Sequence, residues 1–393
     1  VKPLAVSAYT LVTALGSGRA ATLAALEGSR SGLARRDFET AALGSFTGIV
    51  DAAGHAVLPP ALARWDCRNQ RLAELGLGAD GFADRVAETA ARCGPRRVGV
   101  FMGTSTSGIL QTELAYRERD AAGALPPWLH YETTHDTASL ARYVQARLGL
   151  AGPAFTVSTA CSSSAKVFAD AARFIAAGLI DAAVVGGVDS LCLTTLYGFR
   201  SLELVSHDVC RPWDAERAGL SLGEGAAFAL LEAAPRTMHA LLLGTGESSD
   251  GHHMSAPHPE GAGAVLAMRA ALADAGVEPQ RIDYLNLHGT ATPGNDAAED
   301  RAVSAVFGPG VACSSTKGFT GHTLGAAGAV EAAITMLALE HGLLPATLHL
   351  RQRDPALVLE PLRAPQRRRI EVAASNSFGF GGSNASLVFG AAR

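Results

Sequence analysis

Short apolar runs alternate along the chain with longer stretches in which apolar side chains recur every three or four residues. The short runs at 97–101, 155–157, 182–185, 226–231, 282–287, 311–314 and 386–389 predict strands. Helical spacing covers 162–177, with Ala165, Phe168, Ala172 and Ile175 on one face, then 264–275 closed by Gly276 and 325–340 closed by Gly342. Strands alternating with helices are the mark of an α/β protein. The opening "VKPLAVSAYTLVTALGSG" superficially resembles a secretory leader, but Ser7, Thr10 and Thr13 interrupt its apolar run. The same pattern suits a first strand and a glycine turn. No uninterrupted apolar window approaches the roughly 18 residues that a membrane-crossing helix needs.

Two segments look alike. "VSTACSSSAKVFADAARFIAAG" and "SSTKGFTGHTLGAAGAVEAAITMLALEHG" both read as strand, turn, helix. Each is followed later by a glycine-rich loop feeding an alternating strand, at 222–232 and 380–390. This predicts two similar α/β halves, 1–233 and 234–393.

Composition narrows the class. With 393 residues, 48% hydrophobic and 18% charged, the chain exceeds one ordinary core, so two packed halves or one double-layered unit are expected. A net charge of -4 offers no electrostatic reason to propose nucleic acid or an anionic membrane as partner. The "RRR" at 367–369 reads as a solvated turn. Six cysteines without paired spacing argue against a zinc ribbon or a disulfide scaffold and suit reduced thiols in a cytoplasm.

Four segments carry candidate chemistry. Cys161, at the head of the 162–177 helix, faces unpaired backbone N–H groups and the positive end of a helix dipole, which favour a thiolate. Position alone favours the alternative, an inert buried cysteine, because a helix N-terminus is only permissive. His288 follows a strand, where α/β proteins present ligand-binding residues, and Asp296, Glu299 and Asp300 begin a helix after it. Lys317 and His322 occupy the connection before the 325–340 helix, whose small residues at 325–329 allow close approach of another backbone. In "SNSFGFGGSNASLVF" (375–389), phenylalanines alternate with glycines, as in a bendable N–H donor loop or a plain β-turn. Other matches are set aside. "GLSLG" (219–223) leads into a strand and lacks the elbow geometry of a hydrolase. "GLGADG" (76–81) follows a helix where a dinucleotide site needs a strand. His252, His253 and His258 fit no metal spacing, and no metal is expected.

Together "TACSSS", "HGTATP", "TKGFTGHTLGAAGA" and "NSFGFGGSNA" resemble, in order, the motifs of the β-ketoacyl-acyl carrier protein synthases, over nearly the whole chain. The resemblance implies the thiolase fold, with two related halves in five α-β-α-β-α layers, and a dimer. It implies acylation of Cys161, decarboxylation of a malonyl extender promoted by His288 and His322, and an oxyanion hole from the N–H groups of Cys161 and Phe380. Lys317 would organise the histidines, within pairing reach of Asp296 or Glu299, and Glu331 matches a buried helix glutamate of the family. By the same resemblance Thr290 and Thr292 would bind a phosphopantetheine arm, Phe378 and Phe380 would gate the thiol, and Met102, Ile109 and Leu110 would lie near the acyl pocket. Substrates would arrive on acyl carrier protein, with no permanently bound cofactor. The Cys-His-His set resembles the elongating synthases. A thiolase would need a second cysteine near the C-terminus, where Cys313 lies too early, and a chain-length-factor-like subunit would lack Cys161. One departure is Asn295-Asp296, where the family usually has glycine-aspartate. "NLHGTATPGND", "SSDGHHMSAPHP" and "GTSTSGI" look similar to synthases of bacterial aryl polyene clusters, which pair with a cysteine-less partner; fatty-acid elongation is the other placement.

Overall fold

A computed structural model describes residues 2–233 and 237–392. The elements that frame the site are, in chain order, β1 (Leu4–Thr13), α1 (Arg68–Leu77), α2 (Phe82–Cys93), β2 (Val98–Gly103), α3 (Ile109–Arg117), α4 (Ser139–Arg147), β3 (Ala154–Val157), α5 (Ser163–Ala176), β4 (Ala182–Asp189), α6 (Leu193–Ser201) and β5 (Gly225–Glu232). There follow β6 (Ala240–Ser249), α7 (Ala262–Ala275), β7 (Tyr284–Asn286), α8 (Pro293–Phe307), β8 (Cys313–Ser314), α9 (Ala327–His341), β9 (Val372–Gly379) and β10 (Ser383–Ala391).

The strand order is β8-β7-β9-β10-β6-β1-β5-β4-β2-β3. β2 runs parallel to β3 and β4, while β4 and β5, and β5 and β1, are antiparallel. β7 repeats this: it is parallel to β8 and β9, with β9–β10 and β10–β6 antiparallel. Counted within each set of five, both orders read 3-2-4-5-1, so the repeat seen in sequence is a repeat of topology. The sets join where β1 pairs β6, from Leu4↔Leu242 to Val6↔Ala240. The junction predicted at 233/234 adjoins residues outside the described ones.

Five layers result, as the resemblance implied. α5 and α9 pack on each other and on strands of both sets, α1, α2 and α4 cover the first set, and α7, with α8 behind it, covers the second. A helix sandwiched on all sides must be apolar or small on all sides, and every residue of α9 from Ala327 to Leu339 is buried. A Cβ on Gly328 would sit 2.5 Å from the Ala165 backbone N, so α5 and α9 approach as closely as the Gly/Ala run predicted. The N-terminal stretch is a buried strand, β1, throughout.

Two central strands escaped the pattern. β6 opens on Ala240–Leu243 but continues with Gly244, Thr245, Gly246 and Glu247, and β9 opens on Val372–Ala374 but continues with Ser375, Asn376 and Ser377, so neither is apolar along its length. "SNSFGFGG" is therefore the end of β9 and the turn of a hairpin, not a free loop: Phe378 and Gly379 close the strand, Phe380–Gly382 forms the turn, and Gly381 has φ +77°.

Candidate active site

Cys161 lies in a single 3-10 turn, Ala160–Ser162, between β3 and α5. Ala160 takes φ +52°, a left-handed conformation that an alanine adopts only at a cost. Local hydrogen bonds hold the turn: Thr159 N donates to Ser163 Oγ at 2.9 Å, and Ser163 Oγ donates to the Ala160 carbonyl. Ser164 Oγ accepts from Ala329 N at 2.9 Å, tying α5 to α9. The serines after the nucleophile candidate are thus hydrogen-bonding as well as small. The thiol is buried, which pushes it up to about 11, opposed by the Lys317 charge and by the Phe380 N–H directed at it. Burial outweighs both, so the resting group is a neutral thiol.

His322 Nε2 lies 3.0 Å from Cys161 Sγ. Its backbone is pinned by the segment earlier set aside as a hydrolase pattern: His322 N donates to Ser221 O at 2.8 Å, and Gly223 N donates to His322 O at 3.0 Å. His322 Nδ1 is buried without a hydrogen-bond partner among the described residues. An unpaired lone pair costs less than an unpaired N–H, so the ring proton belongs on Nε2, facing the thiol.

His288 stands just beyond β7. Its N–H and that of Gly289 both donate to Glu299 at 2.8 Å, while Ala291 N and Trp213 N donate to Asp296 at 3.1 and 3.0 Å. Two buried carboxylates at the start of α8 therefore set the 288–291 turn. Burial raises them, Asp296 to about 6 and Glu299 to about 7. Lys317 Nζ donates to the His288 carbonyl, sits 3.4 Å from His288 Nδ1, and forms a buried ion pair with Glu331 on α9. Lysine only donates, so Nδ1 accepts and the His288 proton also belongs on Nε2. Burial first, then Lys317, hold both imidazoles well below their ordinary value, hence neutral. The rings meet edge to face with centroids 5.3 Å apart.

These groups open on a cavity of about 180 Å³ lined by Cys161, His288, His322, Thr290, Thr292, Asn295, Phe378 and Phe380, among others. Thr290 and Thr292 hydroxyls are 2.9 Å apart on its wall. The Phe380 ring stacks on Phe199 of α6 at 5.4 Å, and Phe378 lies 6.0 Å from His288. The ligand atoms of Cys161, His288 and His322 lie within 4.8 Å of one another, a spacing that a metal could bridge. The Lys317 ammonium beside them opposes a second cation.

Residues 80–236 match the family described as "Beta-ketoacyl synthase, N-terminal domain" and residues 239–351 its C-terminal domain. "3-oxoacyl-[acyl-carrier-protein] synthase 2" of Vibrio cholerae is 36% identical over 312 residues, 75% of each chain. The chain belongs to the β-ketoacyl synthase family. The Arabidopsis thaliana mitochondrial 3-oxoacyl-[acyl-carrier-protein] synthase is 41% identical over 63% of this chain and 58% of its own length. Among solved structures, this β-ketoacyl synthase is similar to the Xenorhabdus doucetiae ketosynthase ApeO in complex with its chain length factor ApeC: 38% identity, TM-score 0.90, covering 99% of this chain and 98% of that one. The "ishigamide ketosynthase/chain length factor" matches at 28% identity and TM-score 0.88 over 100% of this chain and 99% of that one.

Two expectations for this β-ketoacyl synthase need correction. Lys317 pairs with Glu331; Asp296 instead faces Arg217 at 3.6 Å, and Glu299 is taken by backbone N–H groups. Met102 is buried in the core of the first half with Leu140 and Val184, because β2 turns it toward α4 and away from the cavity. Ile109 and Leu110 pack in a cluster with Leu191, Leu196, Leu220 and Phe199, so they lie behind the apolar cavity wall of Phe199, Leu204 and Leu220 without lining it. Asp250 was missed altogether. It accepts from His258 N at 2.8 Å and Asn384 Nδ2 at 2.7 Å, and its own N–H donates to Gly382 O, so it fastens the 250–258 loop to the phenylalanine turn. Its signal, one acid in a polar loop, is invisible without the fold. Among the described residues His252, His253 and His258 form no metal cluster, and "GLGADG" joins two helices, α1 and α2.

Proposed function

We propose that this β-ketoacyl synthase catalyses decarboxylative Claisen condensation between an acyl group held on Cys161 and a malonyl group on acyl carrier protein. The convergence of Cys161, His288 and His322 within 4.8 Å carries the reading. Cys161 sulfur attacks the incoming thioester carbonyl, its proton passes to the departing carrier sulfur, which leaves as the thiol, and the tetrahedral oxyanion is met by the Cys161 and Phe380 N–H groups. The malonyl thioester then loses carbon dioxide, and its enolate oxygen receives hydrogen bonds from Nε2–H of both neutral histidines. The enolate carbon attacks the acyl carbonyl, Cys161 sulfur departs as the thiolate, and a proton from solvent restores the thiol. Burial, with Lys317 behind it, keeps His288 neutral, and Lys317 holds it in the donating tautomer. Thr290 and Thr292 hydrogen-bond the phosphopantetheine amides along the entry.

For the pathway we favour the aryl polyene type, in which the chain works as a dimer with a cysteine-less chain-length-factor-like subunit. The likeness to ApeO over nearly the full length of both chains supports this, as does β3, an edge strand with Phe155 half exposed. The second reading, a homodimer in fatty-acid elongation, rests on the 3-oxoacyl-[acyl-carrier-protein] synthase 2 relatives. No helix among the described residues is long and apolar enough to cross a membrane, and the six cysteines are free, consistent with a cytoplasmic enzyme.

The test is incubation with acyl-carrier and malonyl-carrier substrates, read by intact mass and carbon dioxide release. Acylation at Cys161 and a 3-oxoacyl product are expected. Acylation surviving in Cys161→Ala refutes the assignment. Co-purification with a cysteine-less relative, against native mass of the chain alone, separates the two pathways.

A further inference from the structure

We infer that Asp189, a buried carboxylate at the end of β4, is a positioning residue that sets His322 through the Gly325 amide. Gly325 N donates to Asp189 Oδ2 at 2.5 Å. Gly325 lies three residues after His322, in the turn that leads into α9, and Leu324 between them is held at φ +54°. Asp189 Oδ1 accepts from Thr104 Oγ1 at 2.6 Å, Ser105 N at 2.8 Å, Thr106 N at 3.0 Å and Thr106 Oγ1 at 2.9 Å. Ser105 Oγ also donates to Oδ2. Asp189 is fully buried, and among the described residues no cation pairs with it. A carboxylate in that setting persists only because donors surround it, and each one is thereby fixed.

Asp189 therefore clamps two segments from different halves of the molecule. One is the Thr104–Thr106 turn between β2 and α3. The other is the turn whose first residue places Nε2 against Cys161. Its fit is tight: a Cβ on Gly325 would lie 2.6 Å from Ser105 N and 2.7 Å from Asp189 Oδ2. Ordinary packing needs neither an unpaired buried charge nor five donors on the first turn. Since His322 Nδ1 has no partner among the described residues, no hydrogen bond on that side holds the ring, and its backbone decides where Nε2 can point. The Ser221 and Gly223 contacts fix that backbone from one side and Asp189, through Gly325, from the other.

Asp189→Asn tests this selectively. Four donations converge on Oδ1, so the amide oxygen remains there and the NH2 faces Gly325 N, two donors in opposition. The inference rests on Cys161 and His322 as the reacting pair, which acylation of the native enzyme at Cys161 tests separately. In a folded D189N protein, malonyl decarboxylation should fall at least about tenfold at unchanged KM, because a displaced donor loses transition-state stabilisation. Cys161 acylation, which needs the thiol and the N–H donors, should stay within about threefold. Gly325→Ala should give the same split, and the double variant should be no worse than the poorer single one. Where D189N does not fold, Ser105→Ala, which removes one donor from Oδ2, is expected to show the split more weakly. Equal losses in both steps, no loss in either, or additive losses in the double variant overturn the inference.

Discussion

Lys317 and Glu331 form an ion pair sealed beneath the two histidines, with the same Lys317 nitrogen donating to the His288 carbonyl. Removing one partner of a buried pair leaves the other uncompensated. Lys317→Ala should therefore lower stability by about 3–5 kcal/mol and release the His288 tautomer. Thermal melting should show the first effect, and loss of carbon dioxide release from malonyl carrier the second. A K317A protein with native melting and native decarboxylation contradicts this role.

Cys161 sits where a smaller side chain still fits. Cys161→Ala should fold and melt within a few degrees of native while losing all acylation, with the histidines still able to decarboxylate malonyl substrate. Intact mass spectrometry after incubation with acyl carrier checks the first outcome.

Burial holds the Cys161 thiol up near 11, so little thiolate exists at neutral pH. Its rate of modification by iodoacetamide should climb about tenfold per pH unit from 7 to 10. A plateau below pH 8 would show that the N–H donors and Lys317 overcome burial.

His288 and His322 are held below their unfolded value, so below pH 6.5 the unfolded chain binds protons that the folded chain refuses. Their contribution is thus present above that pH and lost as pH falls. Glu299 and Glu331, raised to about 7, work in the opposite sense, losing stability as pH rises from about 4.5 toward 7. The difference in stability between native protein and an H288N/H322N double variant isolates the histidines. That difference should shift against the native protein between pH 7 and pH 5; a constant difference counts against buried neutral imidazoles.

Gly379 lies where a Cβ would approach Thr159 O to 2.9 Å and Cys161 N to 3.2 Å. Gly379→Ala should push the phenylalanine turn off the thiol and reduce acylation about a hundredfold, the scale of one lost oxyanion donor. Unchanged acylation by this variant would remove the Phe380 N–H from the chemistry.

The layered α/β plan, the repeat and the chemistry-bearing residues were legible in the sequence because each is a local pattern. Strand-turn-helix units repeat, small residues announce the α5–α9 contact, and Cys161, His288, Lys317 and His322 stand at the ends of predicted elements. Strands β6 and β9 were not legible, since glycines and polar residues cut their apolar runs short. Tertiary structure alone decided that Lys317 meets Glu331, that Phe199 backs Phe380, that Met102 turns into the core, and that Asp189 and Asp250 fasten turns distant in sequence. The physical reason is common to all of these. A side chain's type and spacing say what it can do, but burial and partners determine what it does, and both are supplied by residues that sequence spacing cannot bring together.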